Sequence, residues 1–334
     1  MTAGGHLTRR RLVVTLAVLA ALLAASLVAA TLVGPVPVSL AAVWDDPAST
    51  DYTIVVHARL PRVLLAAIVG AALAGAGSVL QGLLGNALAD PHLLGVSAGA
   101  AVAGTIAIVA GADPVSVLVP LAAFAGALAT VTFVYVVART HGRASPHAIL
   151  LVGVVCNALA AAIIMLVNAV VSYTQAQGVL FWIMGALSTQ SWALVGLAAL
   201  YVGAGIALLV RHAQALNLLA TGEEGAMALG VDVERVRRGV FVYASLLVGA
   251  AVSVSGMINF VGLIVPHLLR LVIGPDQRIL FPASVLGGAA FLVWADAAAR
   301  TAFGLAELPV GVVTALLGGP FFLFLLRRSL RGLR

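Results

Sequence analysis

The sequence predicts an all-α, polytopic membrane protein with about ten transmembrane helices, and three observations predict it. Of the 334 residues, 62% are hydrophobic and only 9% charged, with a mean hydropathy of +1.14, whereas soluble domains carry about a quarter charged residues. Apolar stretches close to the roughly 20 residues of helix that cross a hydrocarbon core recur along the whole chain. The basic residues, eighteen arginines and no lysine, stand in short clusters between those stretches, as a membrane protein distributes charge. Together these exclude a soluble globular protein, a disordered chain and a nucleic-acid partner, in spite of a net charge of +6.

Taken in order, the spans fall at 12–33, 63–84, 93–112, 115–138, 148–171, 192–210, 240–258, 260–273, 280–299 and 308–326. The first follows Arg9, Arg10 and Arg11, and its apolar run is longer than the core of a signal peptide, so it reads as a retained helix. The eighth is the weakest, because Pro266, His267 and Arg270 interrupt it. With the N-terminus in the cytoplasm, fourteen arginines lie inside; Arg270 falls within a span, and only Arg59, Arg62 and Arg300 lie outside. The positive-inside rule thus places both termini in the cytoplasm of a multi-pass protein of the cell inner membrane. The whole chain, 1–334, reads as one transmembrane domain, with a polar cytoplasmic loop at 211–239 too short for a catalytic domain and a Pro-containing, acidic outer connection at 34–61.

Absent residues narrow the chemistry. Without lysine there is no P-loop for ATP and no Schiff base. The single Cys156 lies in an apolar run and reads as a small core residue, which leaves no intrachain disulfide and no thiolate zinc site. His57, His92, His147 and His267 show no helical ligand pairing, so no metal site is expected. Gly95-Val96-Ser97-Ala98-Gly99 fits the nucleophile-elbow pattern, but no strand precedes it and no relay histidine is evident, so close helix packing is the better account. The tetrapeptide Pro-His-Leu-Leu occurs at 91–94 and 266–269, in spans of opposite direction, which an inverted repeat or chance would produce.

Three groups remain. Asn157, Ala161, Ile164 and Asn168 share one face of the fifth span, and two amides there suggest a helix contact or a water-filled route. Asp296 and Arg300 stand four apart, the spacing of an ion pair on one helix face. Arg59 and Arg62 join Arg300 on the outer side, where positive charge is otherwise lacking, and an acidic soluble partner would explain them.

Several stretches together resemble the FecCD-type permeases, the membrane subunits of type II ABC importers for iron-siderophores, haem and cobalamin. They are Arg59-Leu60-Pro61-Arg62, the run from Ala89-Asp90-Pro91-His92 to Gly99, Gly222-Glu223-Glu224 with Ala228-Leu229-Gly230, Phe260-Val261-Gly262 through Pro266-His267, and Glu307-Leu308-Pro309-Val310-Gly311. The similarity covers about 55–334. One departure is Asn86-Ala87 where the family commonly has Asn-Pro; Asp90-Pro91 still marks the turn.

The resemblance implies the ten-helix fold of those permeases, a homodimer, two separate ATP-binding subunits that hold ATP and Mg, and a periplasmic or lipid-anchored substrate-binding protein. It implies that Arg59, Arg62 and Arg300 dock the binding protein, and that Gly222, Glu223, Glu224, Ala228, Leu229 and Gly230 couple to the ATPase. It also implies a cytoplasmic gate at Ala144, Ser145 and Pro146, and a path along Asn157, Ala161, Ile164 and Asn168. No catalytic residue, metal or cofactor is expected on this chain. The cargo would be a metal chelate, an iron-siderophore first and cobalamin or haem next. An ion-coupled carrier is the alternative; it would place an ionisable group deep in the bundle, where only Arg270 and Asp296 are available.

Overall fold

The computed structural model describes residues 8–113, 116–140, 143–187, 191–303 and 307–331. Among them, seven helices are long and apolar enough to cross a membrane and three apolar helices are shorter. The first is α1 (Arg9–Leu32), capped by the Thr8 side chain, with a mostly exposed surface that suits lipid. Two short helices, α2 (Leu40–Asp45) and α3 (Thr50–Tyr52), follow on the outer side, each capped by a serine. A π-helical stretch, Thr53–Arg59, then runs without a break into α4 (Leu60–Leu83). The second span is therefore continuous from Thr50 to Leu83 and begins well before position 63, inside what reads from sequence as an outer loop.

Helix α4 is buried over nearly its whole length. Its glycines and alanines let other backbones come close, the way helices pack where lipid supplies no hydrophobic drive. Gly70 meets Gly288 of α14 (Gln277–Thr301), and Gly77 meets Gly262 of α13 (Val261–Ile273). Against this axis pack α9 (Trp192–Val210) and α12 (Val233–Ser255), and on α12 in turn pack α5 (Val96–Val109) and α6 (Leu118–Ala138). Gly99 of α5 packs on Gly126 and Thr130 of α6. The remaining elements are α7 (Pro146–Val170), α8 (Tyr173–Ile183), the cytoplasmic α10 (Ala213–Leu219) and α11 (Glu223–Ala228), and α15 (Val310–Arg331). A two-residue antiparallel pair, Arg139–Thr140 with Arg143–Ala144, joins α6 to α7.

Two predicted spans differ in kind from the rest. The third, expected over 93–112, is a helix of only 14 residues, and the eighth has only 13. Each is preceded by irregular chain inside the bundle. Ahead of α5, Asp90 caps a 3-10 turn, Pro91–Leu94, and Gly95 takes φ 78°, a conformation that costs a residue with a side chain. Ahead of α13, Gly256 and Phe260 take φ 65° and 68°, and Phe260 is the one non-glycine residue with positive φ among those described.

Both interruptions lie deep. Leu93 and Leu94 rest on Gly153, two turns into α7, while Gly262 rests on the Leu73 carbonyl, about 15 Å up α4 from its cytoplasmic end. Backbone of this kind survives at membrane depth only where protein covers it or it lines a cavity. The two Pro-His-Leu-Leu segments are not equivalent, the first being the 3-10 turn and the second lying inside α13, so the tetrapeptide does not mark a repeat.

Candidate functional site

The two interruptions meet at His92. Its Nε2–H donates to the Ile258 carbonyl at 2.8 Å, which leaves Nδ1 to accept the Ser97 hydroxyl at 2.6 Å. The Asn157 amide donates to the His92 carbonyl at 3.1 Å, tying α7 to the same joint. A relay histidine, not evident from the sequence, is thus present beside the Gly-x-Ser-x-Gly serine. No strand leads into that serine, and Ser97 is only 2% exposed. The dyad is a joint between broken helices rather than a nucleophile.

Beside the joint opens a cavity of about 750 Å³ between α5, α7 and α8, lined also by Met257 and Asn259. Asn157, Ala161, Ile164 and Asn168 all face it, and so do His92 and Ser97. The Asn168 amide donates to the Ile164 carbonyl of its own helix at 3.0 Å. Among the described residues, no Asp, Glu, Lys or Arg side chain lines the cavity. A single imidazole without carboxylate or thiolate does not hold a bare metal ion, and among the described residues no three His, Cys, Asp or Glu side chains converge. Helix α8, which supplies Ala176, Leu180 and Ile183, is a lining element that the span assignment leaves out. Its signal is the Ser172/Gln175 capping box.

At the cytoplasmic end of α7, Ala144 closes the short strand pair, the Ser145 side chain accepts from the Ala148 amide, and Pro146 takes the first helical position. The fold at Asn86 survives the missing proline, because the Asn86 side chain accepts from the Leu88 amide at 2.9 Å and Asp90 accepts from the His92 amide at 2.9 Å.

The cytoplasmic loop builds a projecting knob. Gly222 (φ 109°) precedes α11 and Gly230 (φ 83°) follows it, and Met227 and Leu229 are exposed apolar residues. Glu224, Ala228 and Gly230 are exposed as well. The knob is anchored, since Ala226 is buried and Arg237 of α12 bonds to Glu223 and, at 3.4 Å, to Glu234. Its neighbour α10 is tied to the start of α14 by Asn217, whose amide oxygen accepts from Gln277 N–H at 2.8 Å and whose NH2 donates to Asp276 at 2.6 Å. The Arg278 side-chain hydrogen bond, opposed by burial and helped by the Arg278 amide and Asn217, pulls the Asp276 carboxyl down to about 2. It is therefore ionised throughout the physiological range.

The outer arginines are largely buried and bonded within the chain. Arg59 is 6% exposed and donates to the carbonyls of Thr31, Leu32 and Val36; Arg300 is 3% exposed and donates to those of Ala30 and Val33. They satisfy the last carbonyls of α1, which a helix end leaves unpaired. Asp296, fully buried, takes Arg62 at 3.0 Å and Arg300 at 2.9 Å, the ion pair expected from the i, i+4 spacing. Glu307 takes the other edge of Arg62 at 2.7 Å.

The FecCD transport family matches residues 20–328. The cobalamin import system permease protein BtuC of Halobacterium salinarum is 46% identical over 287 residues, 85% of this chain and 76% of its own. The hemin transport system permease protein HmuU of Yersinia pestis is 40% identical, covering 89% of this chain and 90% of its own. A solved structure described as an inward-facing, metal-chelate type ABC transporter superimposes with a TM-score of 0.85 at 31% identity, over 94% of this chain and 98% of that one. With ten apolar helices among the described residues and a neutral, mostly apolar cavity between them, the chain belongs to the FecCD transport family: it is the permease subunit of an ABC importer, a multi-pass protein of the plasma membrane that leaves ATP hydrolysis to separate subunits.

Proposed function

We propose that two copies of this chain enclose a path for a metal chelate along the face of α7 that carries Asn157, Ala161, Ile164 and Asn168. The observation that carries this reading is the 750 Å³ cavity, in which neutral amides and apolar groups receive a solute without ligating its metal. Such a lining suits an ion already wrapped by an organic ligand. The cargoes in the relatives' names, cobalamin and hemin, are two such chelates, and a ferric siderophore is the third to be offered.

On the outer side, the corner of Arg59, Arg62 and Arg300 receives an acidic partner, the substrate-binding protein. On the inner side, the α11 knob from Gly222 to Gly230 seats in the ATPase, with Met227 and Leu229 as its apolar contacts. Ala144, Ser145 and Pro146 form the cytoplasmic gate below the cavity. ATP binding and hydrolysis shift the permease between two states, and the short α5 and α13 with their unwound leaders are the elements suited to move.

Thiol accessibility tests the path. In a Cys156→Ser background, cysteines at 157, 161, 164 and 168 should react with a water-soluble maleimide at rates that change when ATP is trapped on the ATPase. Cysteines at lipid-facing Val14 and Val18 of α1 should stay unreactive throughout. Equal, nucleotide-independent protection at all four path positions would remove α7 from the route.

A further inference from the structure

The outer arginines surround a small hollow of about 170 Å³, with Arg59, Arg62, Arg300 and Glu307 among its lining residues. Two of the three guanidinium groups there, Arg62 and Arg300, pair with the carboxylates Asp296 and Glu307, and Arg59 lies within electrostatic reach of Asp51. The two carboxylates differ in kind. Asp296 is fully buried on α14 and shared by two arginines. Glu307 is 49% exposed in its side chain, stands in non-helical chain ahead of α15, and has Arg62 as its ion-pair partner. Arg62 itself is divided: Nε and Nη2 point to Asp296, both at 3.0 Å, and Nη1 points to Glu307 at 2.7 Å.

The geometry points to Glu307 as a resident carboxylate that occupies the docking place on Arg62 and yields it to an acidic side chain of the substrate-binding protein. This rests on the docking reading given above and deepens it. In the free permease Glu307 keeps the third edge of a nearly buried guanidinium satisfied, an arrangement that is costly to leave open. When a partner carboxylate enters the hollow, one charge-assisted bond replaces another. Docking strength is then a difference between two similar ion pairs, which favours a contact that forms and releases in each transport cycle.

The exchange also has a mechanical outlet. Just past Glu307, the Leu308 amide is held by the Ala299 carbonyl at 3.1 Å and the Gly311 amide by the Gly185 carbonyl at 3.0 Å. Gly311 lies so close to the carbonyls of Met184 and Met257 that a Cβ there would be 2.2 and 2.8 Å from them. Met257 and Ile183 line the cavity. Freeing Glu307 therefore slackens the leader of α15 where it braces the cavity wall, so that docking is felt at the path.

The experiment uses the transporter with its ATPase in nanodiscs and the purified substrate-binding protein of the same importer as the probe. Glu307→Gln keeps the shape and removes the competing charge; it should tighten binding by about tenfold and raise ATPase activity in the absence of binding protein toward the docked level. Glu307→Asp, which keeps the charge, should bind like the parent. Unchanged or weaker binding by Glu307→Gln, with an unaltered melting midpoint, would overturn the proposal and leave Glu307 a structural brace. Arg62→Gln separates the two levels. If it weakens binding while Glu307→Gln does nothing, only the competitor role fails; if Arg59→Gln and Arg62→Gln both bind like the parent, the docking reading fails and this inference with it.

Discussion

Asp296→Ala is expected to destabilise the permease by about 3–5 kcal/mol, seen as a large drop in melting midpoint and in yield from detergent. The carboxylate is fully buried and pairs with Arg62 and Arg300, while Arg300 and Arg59 hold the end of α1 against α4 and α14. Removing it leaves Arg300 with carbonyl partners alone and Arg62 with Glu307 alone, so the buried cations in the outer part of the bundle are only partly compensated. The penalty comes from the uncompensated charge more than from the lost pair, since a buried ion pair replaced whole by apolar groups is often neutral in stability. The triple variant Arg62→Leu, Asp296→Leu, Arg300→Met should therefore melt well above Asp296→Ala while losing affinity for the binding protein. Melting of Asp296→Ala at the parent midpoint would show that the cluster does not hold the outer corner together.

Gly77→Val is expected to be as damaging for a different reason. A Cβ on Gly77 would lie 1.9 Å from the Gly262 carbonyl oxygen and 2.5 Å from its carbon, so backbone rather than a flexible side chain stands in the way. The partners cannot give locally, because Gln81 on the next turn donates to the Gly262 and Leu263 carbonyls at 3.3 Å and accepts from Arg270 at 3.1 Å. α13 must then move off α4 as a body, breaking that network at a cost of about 3 kcal/mol or more. Gly203, where a Cβ would meet nothing within 4 Å, is the control site at which Val should be tolerated. Folded, active Gly77→Val would mean that α13 is not held where the structure puts it.

Apolar length and charge placement are legible in the sequence, and the features they control are read from it correctly. The ten apolar helices among the described residues all have counterparts in the ten predicted spans, because each is built on a predominantly apolar run. The stripe on α7 is legible for the same reason, since helical spacing alone decides that 157, 161, 164 and 168 share a face. The depth of the two breaks is not legible. Leu93 and Leu94 are as apolar in a 3-10 turn as in a helix, and only Gly95 ahead of α5 and Gly256 ahead of α13 hint that the backbone turns.

The relay partner of Ser97 escapes a reading of the sequence because Pro91 and His92 look like loop, while in the structure that loop re-enters the bundle. The burial of the outer arginines is not legible either. Their position beside the outer face is readable, but their burial depends on the α1 carbonyls and on Asp296, contacts that run across up to 270 positions of sequence. Glu307 stands out in the sequence for its motif alone, and its bond to Arg62, 245 positions away, gives it a part that no local pattern carries.

The most direct test of the account is ATP-driven uptake by the assembled transporter: this chain with its ATPase in proteoliposomes, binding protein supplied outside, and cobalamin, haem and a ferric siderophore offered in turn. The account predicts that one chelate accumulates only with ATP inside and binding protein outside, and that Ala161→Trp, which fills the cavity, stops accumulation while ATP hydrolysis continues. Accumulation driven by a proton or sodium gradient without ATP, or unimpaired uptake by Ala161→Trp, would contradict it.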